Sequence, residues 1–161
     1  MRLALLLLLF ASAPALAEKK VCVESGERLY VEQPAMADIQ EAFRHCRPLA
    51  EAGDAEAQYY FASVHMFRTI SQPPANPVVE KWMKLSAENG YGKAQFYMAT
   101  VYRYGNALTP PDVSRMMDMY EKAAAQGVPP AMQALVELYG RTDPAKARYW
   151  KEQLEKQRCC K

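Results

Sequence analysis

The stretch "AENGYGKAQFYMATVYRYG", residues 87–105, has two near-copies in the same chain: "AEAGDAEAQYYFASVH" at 50–65 and "AAQGVPPAMQALVELYG" at 124–140. Gly53, Gly90 and Gly127 fall at a constant interval of 37 residues, as do Ala57, Ala94 and Ala131. The columns Phe61/Met98/Leu135, Ala62/Ala99/Val136, Val64/Val101/Leu138 and His65/Tyr102/Tyr139 keep the same register. An interval of this size marks a stacked array of supersecondary units.

Each unit reads as a pair of helices. In the middle unit Ala94, Met98, Val101 and Tyr102 form one apolar stripe at helical spacing over 92–104. Gly105-Asn106 stops that helix, and Thr109-Pro110-Pro111 breaks the chain. A second helix is predicted from Asp112 to Ala125, with Met116, Met119, Tyr120, Ala123 and Ala124 on its apolar side. Asn76-Pro77 and Asp143-Pro144 are N-cap residues followed by proline at the first helical position, and Asp54 caps a helix running from Ala55 to about Phe67. Helices over 77–88 and 144–157 complete the first and third units, with Trp82 and Trp150 pointing inward. No single pair can bury its stripe alone, so neighbours must stack. The expected fold is all-α, a short α-solenoid of about three helix-turn-helix repeats.

The pattern "AQFYMATVYRYG" followed by "PPDVSRMMDMYEKAAAQG" resembles the Sel1-like repeat, a tetratricopeptide-like family of helix pairs. Alanine takes the inner glycine place and Met119 the tryptophan place; the third unit keeps Ala147 and Trp150 but has lost the loop between its helices. The resemblance covers roughly 35–157. It implies a scaffold for complex assembly, including at the bacterial envelope, rather than an enzyme. Some cysteine-rich relatives bind cell-wall-type ligands, so the alternative is a cell-wall-ligand-binding or enzyme-modulating repeat protein, but the regular cysteine pair per repeat that marks those relatives is absent from this chain.

Around this array the chain divides into a signal peptide at 1–17, an N-terminal extension at 18–34 and a tail at 158–161. Met1-Arg2, the apolar run Leu3–Phe10 and the small-x-small site Ala15-Leu16-Ala17 have the form of a secretory leader. Residues 3–17 fall short of the roughly 20 needed to span a bilayer as an anchor. Cleavage near Ala17 would leave a periplasmic or secreted protein with no stable membrane anchor. The extension "VCVESGERLYV" looks strand-like and is expected to form a short hairpin or an extended cap. "EAFRHCRPLAEAG" at 41–53 reads as a further second-type helix, but Pro48 inside it predicts a kink or an end near Arg47.

Cys22, Cys46, Cys159 and Cys160 suggest disulfides in an exported protein, with three full pairings open. Cys22–Cys46 would tie the extension to the first helix; Cys159 and Cys160 would form a vicinal disulfide, stay free or bridge two chains into a homodimer. A formal net charge of +2 and no basic block longer than a pair argue against nucleic acid. No G-x-S-x-G, H-E-x-x-H or phosphate-cradling loop occurs. His45 and His65 occupy aromatic columns and have no partner at metal spacing. No catalytic residue, metal or cofactor is expected.

What remains is a surface. With the packing columns subtracted, the first helices of the units present Tyr59/Phe96/Gln133, Tyr60/Tyr97 and Ser63/Thr100/Glu137, with Arg103 and Tyr104 near a helix end. Tyrosine and arginine commonly anchor interfaces. These ten residues are the expected concave-face site for a protein or peptide partner, an envelope component.

Overall fold

Gly53, Gly90 and Gly127 adopt φ of 95°, 94° and 79°, so the turns between units use the left-handed conformation that glycine reaches at little cost. Between these turns lie the helices. The computed structural model of the chain describes residues 12–31, 34–68 and 76–159, which form eight α-helices. These are α1 (Ser12–Arg28), α2 (Met36–Glu51), α3 (Ala55–Arg68), α4 (Pro77–Glu88), α5 (Gly92–Tyr104), α6 (Val113–Ala125), α7 (Pro129–Tyr139) and α8 (Pro144–Cys159). Consecutive helices pack on one another, and α1 also reaches α3. The pairs α3/α4, α5/α6 and α7/α8 are the three predicted units, stacked as a short α-solenoid.

The repeat columns make the core. Ala57, Ala94 and Ala131 are wholly buried, as are Ala62 and Ala99, so helices approach closely where the sequence supplies only a methyl group. Met98, Leu135, Met83 and Tyr120 fill the space between them. Caps sit where the sequence places them. The Asn76 side chain accepts from the Val78 and Val79 N–H groups, and Asp112 accepts from Arg115 N–H.

Each joint between the first two units and their neighbours is also held by a polar clasp. Gln58 donates to the Ala50 carbonyl at 3.2 Å, and Gln95 donates to the Ala87 carbonyl at 3.2 Å. Asn89 donates to Gln58 Oε1 at 2.9 Å, and Gln126 donates to Gln95 Oε1 at 2.7 Å. Every member of this set recurs at the repeat interval. Gln58 and Gln95 are buried, and each amide has its partners, which is what makes a buried polar side chain tolerable. In the third unit Met132 takes the glutamine place.

Two expectations are corrected. The described part of the extension, residues 18–31, is neither hairpin nor extended cap, since α1 continues to Arg28. Its buried side is Cys22, Ser25, Gly26 and Leu29, an i, i+3, i+4, i+7 stripe built mostly from small residues. α1 and α2 thereby form a fourth pair, covalently closed by the Cys22–Cys46 disulfide with Cα atoms 4.8 Å apart. Of the kink or end expected near Arg47, the end is ruled out: α2 runs through Pro48 to Glu51. Pro48 is exposed and only one turn follows it, so the missing N–H costs one bond near a helix end rather than in a buried middle. Residues 1–11 of the expected leader lie outside the described residues, as do Cys160 and the side chain of Cys159.

Asp54 joins the α1/α2 pair to the array. Its Oδ1 accepts from Ala57 N–H at 2.9 Å, and its Oδ2 pairs with Lys19 Nζ at 2.8 Å. Burial pushes the Asp54 carboxyl up, but the Lys19 contact and the backbone N–H groups outweigh it and hold the pKa below its ordinary value. A lowered native pKa means the contribution is complete above the unfolded carboxylate range and is lost as pH falls through the lowered value. Asp54→Ala is expected to destabilise by about 1–2 kcal/mol, chiefly through the lost cap, because a half-exposed ion pair adds little. Urea titrations from pH 7 to pH 3 should also show the variant losing less of its remaining stability on acidification than the wild type.

Candidate functional site

Residues of α3 and α5 line two adjoining hollows of about 440 and 490 Å³. The first is lined by Tyr30, Tyr59, Met66, Met83, Lys93, Phe96, Tyr97, Thr100, Val101, Tyr104, Gly105 and Asn106. The second is lined by Tyr59, Tyr91, Gly92, Lys93, Phe96, Gln126, Gly127, Val128, Pro129 and Pro130. Tyr59, Lys93 and Phe96 line both, so the two hollows are one aromatic groove along the array.

The groove has a built wall. Tyr30 stacks on Tyr59 with ring centroids 6.2 Å apart and meets Phe67 edge-on at 5.8 Å. The Tyr30 hydroxyl donates to Tyr59 Oη at 2.8 Å and lies 2.7 Å from Ser63 Oγ. Tyr59 also packs against Tyr60 and Tyr91 at 5.3 and 5.2 Å. Such edge and stacked pairs fix ring orientations before any ligand arrives.

Burial raises the Tyr59 phenol, with a further contribution from Tyr30, and raises the Tyr91 phenol, with a further contribution from the neighbouring Tyr60 hydroxyl. Tyr60 is pushed up to about 12, again chiefly by burial, and Tyr97 rises for the same reason with help from Glu80. All four stay neutral at physiological pH and act as hydrogen-bonding apolar surfaces. Among the described residues no cluster of three or more His, Cys, Asp or Glu side chains is arranged to hold a metal ion. His65 is held below its ordinary pKa by burial and by the Arg68 charge; it packs edge-on against Phe61 and Phe43, as an aromatic column residue does.

Of the ten residues expected on this face, the structure brings Phe96, Tyr97, Thr100 and Tyr104 to the groove, with Tyr59 in its lining but itself buried rather than exposed. Tyr104 is the most open of them, at 69% exposed. Tyr60 and Ser63 are corrected: both are wholly buried, Tyr60 beneath the Gly26 turn of α1 and Ser63 under Tyr30. The physical reason is the α1 helix, which covers part of α3 that the repeat pattern alone leaves open. Arg103 stands over the Tyr104 ring at 5.3 Å outside the groove lining. Gln133 and Glu137 are exposed on α7, where they bond one another at 3.4 Å, and line neither hollow. The columns missed Tyr30 and Tyr91, which belong to the extension and to a turn, and Lys93, which lies in the first turn of α5.

The fold and the groove together define a Sel1-like repeat α-solenoid. The chain is similar to a Sel1 repeat protein from Oxalobacter formigenes, with a TM-score of 0.65 and 25% identity, over 74% of this chain and 35% of that one. It is also similar in fold to c5321, a protective antigen present in uropathogenic Escherichia coli strains displaying an SLR fold, with a TM-score of 0.65 and 21% identity, over 84% of this chain and 30% of that one. The chain thus spans about a third of the length of these solved structures. No protein-family model matches it, and no curated protein matches it.

Proposed function

We propose that the protein is an exported, non-catalytic interaction module that grips a protein or peptide of the cell envelope in the groove between α3 and α5. The observation that carries this reading is the pre-ordered aromatic wall of Tyr30, Phe96 and Tyr97, backed by the buried Tyr59 and held by internal contacts. A groove ordered in advance loses less entropy on binding. The Sel1-like fold supports the same role, since such repeats serve as interaction scaffolds.

Export is supported by two features. Cys22–Cys46 is a bond of oxidising compartments. The side chains of Ala15, Leu16 and Ala17 are exposed, whereas Glu18 and Lys19 already make tertiary contacts with His45 and Asp54. Cleavage after Ala17 would therefore leave those contacts in place. No helix among the described residues is long and apolar enough to cross a membrane.

The test is affinity capture from the periplasmic fraction with the wild type and with Phe96→Ala combined with Tyr104→Ala. Loss of at least one envelope partner from the double variant, with unchanged thermal stability, is the expected result. An identical set of captured proteins from both would overturn the groove as the binding face.

A further inference from the structure

A further hollow stands apart from the aromatic groove. It lies between α2 and the end of α3, measures about 600 Å³, and is lined by Met36, Ile39, Gln40, Phe43, Arg44, Arg47 and Arg68. It shares no residue with the groove. Three guanidinium groups rim it, and none of its lining residues is acidic. Arg47 is engaged through Nε with Glu51 at 2.8 Å, which leaves its terminal nitrogens unspent. Among the described residues no carboxylate lies within ion-pair distance of Arg44 or Arg68; Arg68 instead stands over the Phe43 ring at 5.1 Å. The floor is apolar, formed by Ile39 and Phe43, and Met36 at the edge is 67% exposed.

We infer that this hollow is a second binding site, for an acidic peptide segment that sets carboxylates against Arg44 and Arg68 and an adjacent apolar side chain on Ile39 and Phe43. Guanidinium forks match carboxylates in two-point geometry, and a cation already placed on an aromatic face is pre-oriented to receive one. The surrounding charge favours a compact anion over an extended one. α2 itself carries Asp38, Glu41 and Glu51, so the face is not a broad basic plane. A bilayer or a nucleic-acid backbone needs many cations spread over such a plane, each adding about 1 kcal/mol at an anionic membrane. Here the positive charge is confined to one rim over an oily floor.

Two blocked hexapeptides test the idea by calorimetry and by NMR of the arginine Nε–H signals: one has two glutamates flanking a leucine, the other glutamines at the same places. The acidic peptide is expected to shift the Arg44 and Arg68 signals and to bind at least about tenfold more tightly than its neutral counterpart. Arg44→Gln with Arg68→Gln should remove that preference without moving the melting temperature. Phe96→Ala with Tyr104→Ala, which impairs the groove, should leave it intact. Equal affinity for the two peptides, no shift at either arginine, or an undiminished preference in the double glutamine variant would overturn the site. Preferential uptake by phosphatidylserine vesicles, lost in that same variant, would overturn the assignment to a peptide.

Discussion

Removing the Cys22–Cys46 cross-link, as Cys22→Ala with Cys46→Ala in the full chain, is expected to lower the unfolding free energy by about 3 kcal/mol. The bond closes a loop of sequence separation 24, and a loop of that length restricts the unfolded chain by roughly this amount. Both cysteines are wholly buried, so the change also leaves small gaps where the sulfurs packed. Guanidinium titration of the oxidised wild type and the double variant provides the measurement. A difference below about 1 kcal/mol would mean that α1 is held by its packing and ion pairs, chiefly Lys19 with Asp54 and Arg28 with Asp38 and Glu41. The reach of the effect is informative as well. Tyr30 follows α1 closely, and its hydroxyl contacts Tyr59 and Ser63, so loosening α1 should perturb the near-ultraviolet signal of the tyrosine cluster before global unfolding.

The second large effect is expected at Gly26. A Cβ there would collide with Tyr60 Cδ1 and Cγ and lie 2.9 Å from Tyr60 Cβ, against a side chain that is itself wholly buried. Glycine-to-alanine changes within helices ordinarily gain up to about 1 kcal/mol from propensity. Here the ring has nowhere to go, and overpacking should win. Gly26→Val is expected to lose about 3 kcal/mol and to raise the exposure of Tyr60 to quenchers. Gly53→Ala serves as a contrast: nothing lies within 4 Å of its added carbon, so only its φ of 95° is penalised, by about 1–2 kcal/mol. If Gly26→Val were as stable as the wild type, α1 would not rest on α3 as described.

These two sites also show where the sequence was legible and where it was not. The three predicted helix pairs were readable because large apolar residues and turn glycines recur in register, and a register survives without knowledge of the contacts. Helix α1 was misread because its buried stripe is Cys22, Ser25, Gly26 and Leu29. Two of these four, Ser25 and Gly26, do not count as apolar in a hydropathy pattern, while Val21, Val23 and the later Tyr30-Val31 imitate a strand. Small residues are informative only when the partner is known; Gly26 means close approach only once Tyr60 lies against it. The same omission explains Tyr60 and Ser63, whose exposure was inferred from repeats that place nothing over α3. Conversely, Phe96, Tyr97, Thr100 and Tyr104 could be picked out as groove residues because packing columns could be subtracted from within the repeat, whereas Tyr59, picked out the same way, is buried. Gln58 and Gln95 carried a signal that was visible in principle, being identical residues at the repeat interval beside a buried column.

Those glutamines have a consequence for how such a protein can be remade. Because the Gln58–Asn89 and Gln95–Gln126 connections are chemically alike and equally spaced, the surfaces they join are interchangeable couplings. A middle unit could be duplicated in tandem, or excised, with donor still facing acceptor at each seam. The length of the aromatic trough is in that sense a modular quantity, adjustable in whole steps without redesigning the parts on either side.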